Sequence, residues 1–520
     1  MKVLLAGFNL DVETLNELKN FVQRVADVLE PDRFAEYDPS AKRLLLDSLY
    51  QRAKELLQQD NLTPETLSAA YARISRSPKP VNELRAIARR EVDRARKSNR
   101  NIIFGLGHSS VAEHATFNFD IIGVSRLAVE TIEHFRLASY TEKSQRYVLF
   151  KNDFVIPAEI RGSALEKAYI ELINLQNKTY YQLYDVLRPY FLDKSGNNSS
   201  DTATIRRLEG LAKEDARYII SLATQTQLGM TVNARMLENM ISKCASNPLS
   251  EIREYRRKLY QSCRNLVPSI IKYTDPTPYL LSKNQDINNY LKAILPSNEF
   301  TKHAEENEVR LIEFTPDAEE KILAAVLFRL GRSNFSVSRK IIRNLGDSEK
   351  KRFFQKLFLN INSWESTLRE FEYIYFTFQL IISAGNYGQL KRHRMTNLVA
   401  QEYDPNLGVT IPLSIIKTGY RDRFMEVVER TNQFYLKLKN SLPIVAPYIL
   451  TNSHRRRVLF KINLRELYHF SRLREDAHAQ WDIRQIARQM HSLVIEKIPL
   501  AGALLGGKDQ FQKKYDTFLK

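Results

Sequence analysis

The segment EKSQRY at 142–147 carries residue types that can bind a phosphate group. Ser144 offers a hydroxyl, Arg146 offers a guanidinium fork, and the backbone N–H groups of a turn can add further donors. Together they suit a phosphate dianion. A surface loop rich in Ser and Arg is the commoner explanation for such a stretch taken alone, so the segment by itself indicates only a candidate site.

Two further groups of cations lie in the C-terminal half. The segment QLKRHR at 389–394 packs four positive or potentially positive side chains together, and their repulsion favours an opposing polyanion. Arg465 and His469 lie four residues apart, hence on one helix face, and Arg474 follows on the same predicted helix. A solvated basic turn and the wet side of a helix are the ordinary explanations of these two patterns.

Composition limits the classes of protein. The 520 residues carry a net charge of +18, which favours anionic partners such as nucleic acid, nucleotides, acidic membranes or acidic proteins. Two cysteines exclude a four-cysteine zinc site and a disulfide framework, and only 17 Gly and 18 Pro favour long helices. Because no run approaches about 20 apolar residues, we expect no membrane association and a cytoplasmic location.

The two halves of the chain repeat one order of elements. The first half predicts a strand over 115–124, an N-cap at Ser125, a helix to about residue 134 and then a polar loop, and a similar order leads from Tyr375 to Arg394. Asn233 corresponds to Asn463, and SEIR at 250–253 corresponds to WDIR at 481–484. The offset falls from 259 at Phe119/Phe378 to 230 at Asn233/Asn463, which predicts two diverged copies, the second shorter in its middle.

The predicted fold class is α/β (α+β), with two diverged copies of a helix-rich domain that each carry a small, mostly antiparallel sheet. The predicted boundaries are an N-terminal extension at 1–60, a first domain at 61–280, a linker at 281–302 and a second domain at 303–520. The opening KVLLAGF predicts one short buried strand, with no counterpart evident before the second half. The segment 81–99 predicts one basic amphipathic helix.

Both halves resemble the flavin-dependent thymidylate synthases. The family signature RHRxxSxxxxSxRY is similar to HFRLASYTEKSQRY in the first half and to RHRMTNLVAQEYDP in the second. GHSSVAEH at 107–114 resembles the family's GHxSxxEH, EDAR at 214–217 resembles its EDAR segment, and AQWDIR at 479–484 resembles its closing AQWEIR. The resemblance touches most of residues 65 to 500.

Each half lacks what the other half retains. The first half keeps the phosphate-binding end of the signature but has His134-Phe135 where the family has Arg-His, and Cys244 or Lys243 where the family has a helix arginine. The second half keeps the arginines but has Glu402 and Asp404 at the phosphate-binding positions and Pro447 at the position of Arg217. We therefore hypothesise one composite site and a second, mirror position where like charge repels a phosphate.

The resemblance implies reductive methylation of deoxyuridine monophosphate (dUMP) at C5, with methylenetetrahydrofolate as carbon donor, NADPH as reductant, FAD as cofactor and no metal. It also implies a homodimer of the fused chain, that is, a pseudo-tetramer. The implied catalytic residues are Arg474 and His108; the dUMP-binding residues are Gln389, Arg392, Glu142, Ser144, Gln145, Arg146 and Arg217; and the FAD-binding residues are Arg392, His393, Arg394, Asn463, Arg465, His469 and Ser110. Neither cysteine has the context that a cysteine-dependent thymidylate synthase uses, and Cys263 is predicted to be a packed thiol.

Two alternatives stay open. The chain could be a catalytically lapsed homologue that binds RNA or DNA through basic patches at 85–100 and 454–457. It could also be a flavin-dependent methyltransferase that acts on another uracil nucleotide, since the same phosphate loop would serve. Complementary retention of the motif residues favours the enzyme over the lapsed homologue.

Overall fold

The computed structural model describes residues 1–58, 60–193, 201–294 and 307–520. Its strands form two four-stranded sheets with the orders β1-β2-β4-β3 and β5-β6-β8-β7, and every pair is antiparallel. Residues at alternate positions of the central strands are buried, as the period of two requires. The strands are β1 Lys2–Phe8, β2 Thr116–Ser125, β3 Ala138–Glu142, β4 Gln225–Asn233, β5 Val309–Phe314, β6 Tyr375–Ser383, β7 Asn397–Ala400 and β8 Arg455–Asn463.

Helices make up most of the remaining described structure, which confirms the predicted fold class. Apolar faces at helical spacing bury them against the sheets or against one another. They are α1 Val12–Val28, α2 Pro31–Ala35, α3 Pro39–Gln58, α4 Glu65–Arg73, α5 Val81–Arg90, α6 Val92–Arg100, α7 Arg126–Ile132, α8 Glu166–Asp193, α9 Thr202–Ala216, α10 Ala234–Ala245, α11 Ser250–Cys263, α12 Pro278–Ile294, α13 Ala318–Gly331, α14 Phe335–Arg343, α15 Asp347–Phe358, α16 Ala384–Leu390, α17 Leu413–Lys417, α18 Arg421–Ser441, α19 Leu464–Arg474, α20 Trp481–Ile495 and α21 Phe511–Leu519. None of these described helices combines the length and apolar character that a bilayer crossing needs.

The described chain forms two compact units whose boundaries differ from those of the sequence repeat. The first unit holds residues 1–143, 157–159 and 225–294, and the second holds 144–156, 160–193, 201–224 and 307–520. The segment from 144 to 224, which belongs to the first sequence copy, is therefore almost wholly part of the second unit. The predicted boundaries follow the repeat and stay a prediction about the duplication.

The first unit is built on β1 to β4. Phe117, Phe119 and Ile121 on one face of β2 are at most 1 % exposed and form a core with apolar residues of α7, α10 and α11. Both free cysteines belong to this core, and burial raises the pKa of each thiol to about 12. The prediction that Cys263 is a packed thiol is confirmed.

The described residues of the second unit include two apolar cores. One lies on β5 to β8 and includes Phe376, Phe378 and Phe460. The other joins α8 and α9 to α17 and α18, so that helices from both sequence copies share it. The segments SLAT at 221–224 and TNSH at 451–454 meet beside this second core.

A symmetric set of backbone hydrogen bonds links the two copies inside the second unit. Leu222 N donates to Leu450 O at 2.8 Å, and Asn452 N donates to Ile220 O at 3.0 Å. The 230-residue offset of Asn233/Asn463 exchanges the two bonds, because it relates Leu222 to Asn452 and Ile220 to Leu450. The same offset places Pro447 opposite Arg217, as the sequence predicted.

The opening strand departs from its prediction. β1 is an edge strand in which only Val3 is buried, because the strand pairs on one side with β2 alone. It also has a counterpart, since β5 pairs with β6 in the same way and both strands carry a register shift at the same position, between Leu5 and Gly7 and between Leu311 and Glu313. The expectation of no repeat was wrong because six residues of edge strand leave little sequence signal.

Two local predictions also need correction, and the linker boundaries stay a prediction. The basic segment 81–99 forms two helices, α5 and α6, because Glu91 leaves the helical conformation (φ −120°, ψ 59°). The loop after α7 contains the short strand β3, whose pairing with β4 lies about ninety residues away and has no local signal. Of the predicted linker at 281–302, residues 281–294 belong to α12, and the rest lie outside the described residues.

Candidate functional site

The phosphate-binding candidates lie at the start of residues 144–156, which belong to the second unit. Ser144 Oγ accepts a hydrogen bond from Arg146 N at 3.1 Å, which forms a tight turn. The Arg146 guanidinium forms an ion pair with the buried Glu214 and also donates to His478 O at 3.4 Å. Arg146 is thus held between residues of both sequence copies.

Gln145 and Arg217 are joined through Asn452, a residue of the second copy. Asn452 Nδ2 donates to Gln145 Oε1 at 3.2 Å and to Arg217 O at 2.9 Å. Within the described part of the chain, the buried Nε2 of Gln145 donates to no acceptor. An unsatisfied buried donor beside two arginines is chemically suited to an anion.

Arg474 lies at the last residue of α19 and is held by two acceptors. Its Nε donates to His393 Nε2 at 2.9 Å, and its Nη2 donates to Gln389 O at 3.3 Å. His393 Nδ1 then donates to Glu466 Oε1 at 3.3 Å, because the other ring nitrogen already accepts. Burial and nearby cations hold the pKa of His393 well below its usual range, so the imidazole is neutral.

Two guanidinium groups, one from each copy, act on Arg474 in this part of the second unit. Burial, together with the charges of Arg392 and Arg146, lowers the pKa of Arg474 to about 10. Arg474 still carries its charge at neutral pH. A bound anion would relieve this repulsion, whereas a cation would increase it.

A buried carboxylate fixes the EDAR segment against α20. Asp215 accepts from Trp481 Nε1 at 2.8 Å and from Ser414 Oγ, and burial raises its pKa to about 6. The Tyr218 ring stacks on Trp481 with the ring centroids 5.5 Å apart. These contacts hold the end of α9, and with it Arg217, beside α20.

The residues predicted to contact FAD differ in the hydrogen bonds and ion pairs that they make within the protein. Asn463 Oδ1 caps α19 by accepting from Glu466 N at 2.8 Å, and Arg465 pairs with Glu372 at 2.8 Å. The side chain of His393 is buried with both ring nitrogens engaged. Arg392, Arg394 and His469 are exposed.

One group among the described residues has ligand atoms close enough for a metal ion. One atom each from His393, Glu466 and His469 lie within 4.8 Å of one another. Arg474 donates to the same imidazole, and Arg392 is near enough to lower its pKa. The positive surroundings suit an anion better than a divalent cation.

Three predicted residues belong to the first unit. His108 and Ser110 are exposed around the short 3₁₀ segment Ser109–His114. Glu142 ends β3 and forms an ion pair with the buried Arg126. The remaining predicted site residues belong to the second unit.

Several cations of the basic patches proposed for nucleic acid are engaged in internal contacts. Arg85 and Arg89 both pair with the buried Asp11, at 2.9 and 2.8 Å. His454 is fully buried, and Arg456 lies over the Tyr403 ring at 4.1 Å. Such side chains are poorly placed to neutralise phosphates along a nucleic acid.

Sequence reasoning missed several residues that hold the site. Asn452, Gln480 and Tyr218 carry no charge, yet all three are buried and hydrogen bonded beside the predicted residues. Asn452 was detectable in principle, because it corresponds to Leu222 at the 230-residue offset and so marks a difference between the copies. Gln480 lies in the quoted AQWDIR segment.

Comparisons with known proteins identify one family for both copies. The family model described as "Thymidylate synthase complementing protein" matches residues 55–269 and 310–500, one match in each copy. The chain belongs to this family.

Similar relatives fall into two groups. A UPF0159 protein of Chlamydia muridarum is 26% identical over 82% of this chain and 81% of its own length, and one of Thermoplasma acidophilum is 25% identical over 84% and 94%. A flavin-dependent thymidylate synthase of Clostridium tetani is 30% identical over 41% of this chain and 83% of its own length. The second kind of relative therefore corresponds to about one copy, and the first kind to both.

Proposed function

We propose that this chain is a flavin-dependent thymidylate synthase that methylates dUMP at a composite site within the second unit. The first copy contributes Ser144, Gln145, Arg146 and Arg217, and the second contributes Gln389, Arg392 and Arg474. The observation that carries the proposal is the effect of the Arg146 and Arg392 charges on Arg474, since the three residues come from both copies and form one cationic group. Family membership supports the same chemistry.

The nucleotide phosphate would bind at the turn of 144–146. The Ser144 hydroxyl, the Arg146 guanidinium and the unsatisfied Gln145 Nε2 are donors of the kind that a phosphate dianion accepts from. Glu214 holds Arg146 in place, and Asn452 holds Gln145. The mirror position offers Glu402 and Asp404, which would repel a phosphate.

Uracil C5 becomes nucleophilic only when negative charge can develop on the ring, so a fixed cation must face the base. Arg474 would supply that charge, with His393 and Gln389 O holding the guanidinium through two hydrogen bonds. In the overall reaction C5 loses a proton and gains a methylene carbon from methylenetetrahydrofolate and a hydride from NADPH. These atoms and electrons make up the new methyl group.

The donor set also fits an anionic dinucleotide such as FAD. Arg392, Arg394 and His469 are exposed and could bind its pyrophosphate, whereas Asn463, Arg465 and His393 would act mainly by shaping α19 and its neighbours. When bound, FAD would supply the redox chemistry of the transfer. His108 and Ser110 stay predicted contacts. The homodimer of the fused chain and the cytoplasmic location also stay predictions.

The test measures dUMP binding to FAD-loaded protein by calorimetry and by the shift of the flavin absorption spectrum. Arg146→Ala and Arg392→Ala should each weaken dUMP binding by about 10- to 100-fold, because each removes a charge-assisted bond to an anion. Glu402→Ala is the matched control at the mirror position and should change affinity by less than about twofold.

Two outcomes would contradict the proposal. Wild-type protein that binds neither FAD nor dUMP would exclude the function and return the lapsed homologue to first place. Glu402→Ala as damaging as the arginine variants would show that the composite site has been assigned to the wrong residues. The same assay with other uracil nucleotides distinguishes dUMP from another uracil nucleotide as the methyl acceptor.

A further inference from the structure

The amide of Gln480 has a fixed direction. Gln480 is the N-cap of α20, and its Oε1 accepts from Asp482 N at 3.1 Å and from Ile483 N at 3.3 Å. A helix N-terminus presents only N–H donors, so the oxygen end of this amide must face the helix. The nitrogen end, Nε2, is left to donate, and it does so to Tyr218 OH at 2.9 Å.

The hydroxyl of Tyr218 donates onward in the same direction as the hydrogen bond from Gln480. Its hydroxyl accepts from Gln480 and therefore donates its own proton to Asp482 Oδ2 at 2.8 Å. Asp482 also accepts from Ser383 Oγ at 2.6 Å and from Asn386 Nδ2 at 2.8 Å. Burial keeps the pKa of Tyr218 well above its usual range, so the phenol stays protonated and the direction does not change with pH.

The hydrogen bonds of Gln480 and Tyr218 also fix the orientation of the Gln389 side-chain amide. Its Nε2 donates to Gln480 Oε1 at 3.2 Å, and the reverse orientation would place two amide oxygens against each other. Gln389 Oε1 therefore lies at the free end of the amide. No donor in the described residues is hydrogen bonded to that oxygen, while Gln389 O accepts from Arg474. We call Gln389, Gln480, Tyr218 and Asp482 the amide network.

We propose that Gln480 and Tyr218 are positioning residues, and that they fix Gln389 so that its oxygen selects a base whose N3 carries a hydrogen. Uracil has an N3–H donor between two carbonyl acceptors, whereas cytosine N3 is an acceptor and its C4 carries an amino group. The oriented acceptor belongs to the residue whose main-chain O accepts from Arg474. Such an acceptor is complementary to uracil and opposes cytosine with an acceptor against an acceptor. This inference rests on the proposed function and deepens it.

The two copies supply independent support. Gln389 lies six residues after the N-cap Ser383, and the position six residues after the N-cap Ser125 is Thr131. The N-cap residue of α11 is Leu249, where α20 has Gln480. The hydrogen bond between the N-cap serine and an acid is present in both copies, as Ser383 with Asp482 and as Ser125 with Glu251. The fold therefore does not need the amides, and they occur only in the copy that retains the arginines.

The test is the ratio of the dissociation constants of deoxycytidine monophosphate (dCMP) and dUMP, measured by calorimetry on FAD-loaded protein. Wild type should prefer dUMP by about 100-fold or more. Gln480→Leu, which copies the residue of the first copy, frees Gln389 to rotate and should bring the ratio to about 1–5. Tyr218→Phe removes the acceptor of Gln480 Nε2 together with one donor to Asp482, and should lower the ratio by about tenfold.

Trp481→Phe is the matched control. It removes the hydrogen bond to Asp215 at the same helix end but leaves the amide network intact, so it should lower the melting temperature without changing the ratio. A ratio unchanged in Tyr218→Phe or Gln480→Leu would overturn the inference, and so would an equal change in Trp481→Phe. Wild-type protein that binds neither nucleotide would instead mark a failure of the proposed function.

Discussion

The two sequence copies share a scaffold and differ in chemistry. Arg235 pairs with Glu113 in the first copy as Arg465 pairs with Glu372 in the second, at 2.5 and 2.8 Å. Each α-helix that follows the last strand of a sheet begins at an asparagine whose side chain caps it. Such contacts hold a sheet to its helices, so both copies must keep them to fold.

The residues that differ lie where one copy carries cations. Arg474 lies eleven residues after Asn463, and the same count from Asn233 reaches Cys244, which is packed in an apolar core. A charged side chain needs a partner or a ligand when it is buried, whereas a thiol needs neither. Duplication therefore allows one position to hold a charged side chain while its counterpart becomes part of an apolar core.

The largest test of this comparison pairs Arg474→Ala with Cys244→Ala. Loss of the guanidinium should reduce turnover by about 100- to 1,000-fold, because it removes charge stabilisation at the reacting ring. Cys244→Ala should leave turnover within about twofold and cost about 1–2 kcal/mol of unfolding free energy. Steady-state kinetics and urea unfolding measure the two effects, and a loss of turnover in Cys244→Ala would break the division between the copies.

A second test uses His454, whose counterpart at the 230-residue offset is Thr224. Burial lowers the pKa of His454 from 6.5 to about 4 in the folded protein, so the unfolded chain takes up the proton first as pH falls. This group should remove up to about 3 kcal/mol of stability between pH 6.5 and pH 4 and have no effect above that window. Asp215, with its pKa raised to about 6, changes stability in the opposite direction, so single variants are compared with wild type.

His454→Asn keeps an acceptor for Thr451 N and removes the titration. The difference in unfolding free energy between wild type and His454→Asn should therefore shrink as pH falls from 6.5 to 4. His478→Asn is the control, because that side chain is 90% exposed. A difference that stays constant with pH would contradict the buried, neutral state of His454.

The smallest effect concerns an extra residue that only the first copy carries. Gly123 has φ +73° at a register shift of β2 with β4, and β6 pairs with β8 without such a shift. Gly123→Ala should cost about 1–2 kcal/mol, because a Cβ there is strained and would lie 3.3 Å from Gln225 Oε1. Gly229→Ala in β4 has no atom within 4 Å of the added Cβ and should cost less, so equal losses in thermal unfolding would remove the bulge as a distinction between copies.

Much of the fold was predictable because its signals are local. The N-cap at Ser125 and the alternation in β2 depend on neighbouring residues, and the structure confirms both. The repeat with its two offsets was visible in matching motifs. Edge strands and helix breaks were predicted poorly. β1, β3 and the turn at Glu91 owe their form to partners distant in sequence, which periodicity does not report.

The sequence by itself determined that the chain is a diverged duplication and that its motif residues are divided between the copies. Only the tertiary structure decided that the segment carrying Arg146 and Arg217 belongs to the compact unit of Arg474. It also decided the direction of the Gln389 amide, through bonds to a residue 91 positions away. Hydrogen bonds and ion pairs of this kind depend on which surfaces meet after folding, and that information is absent from local pattern.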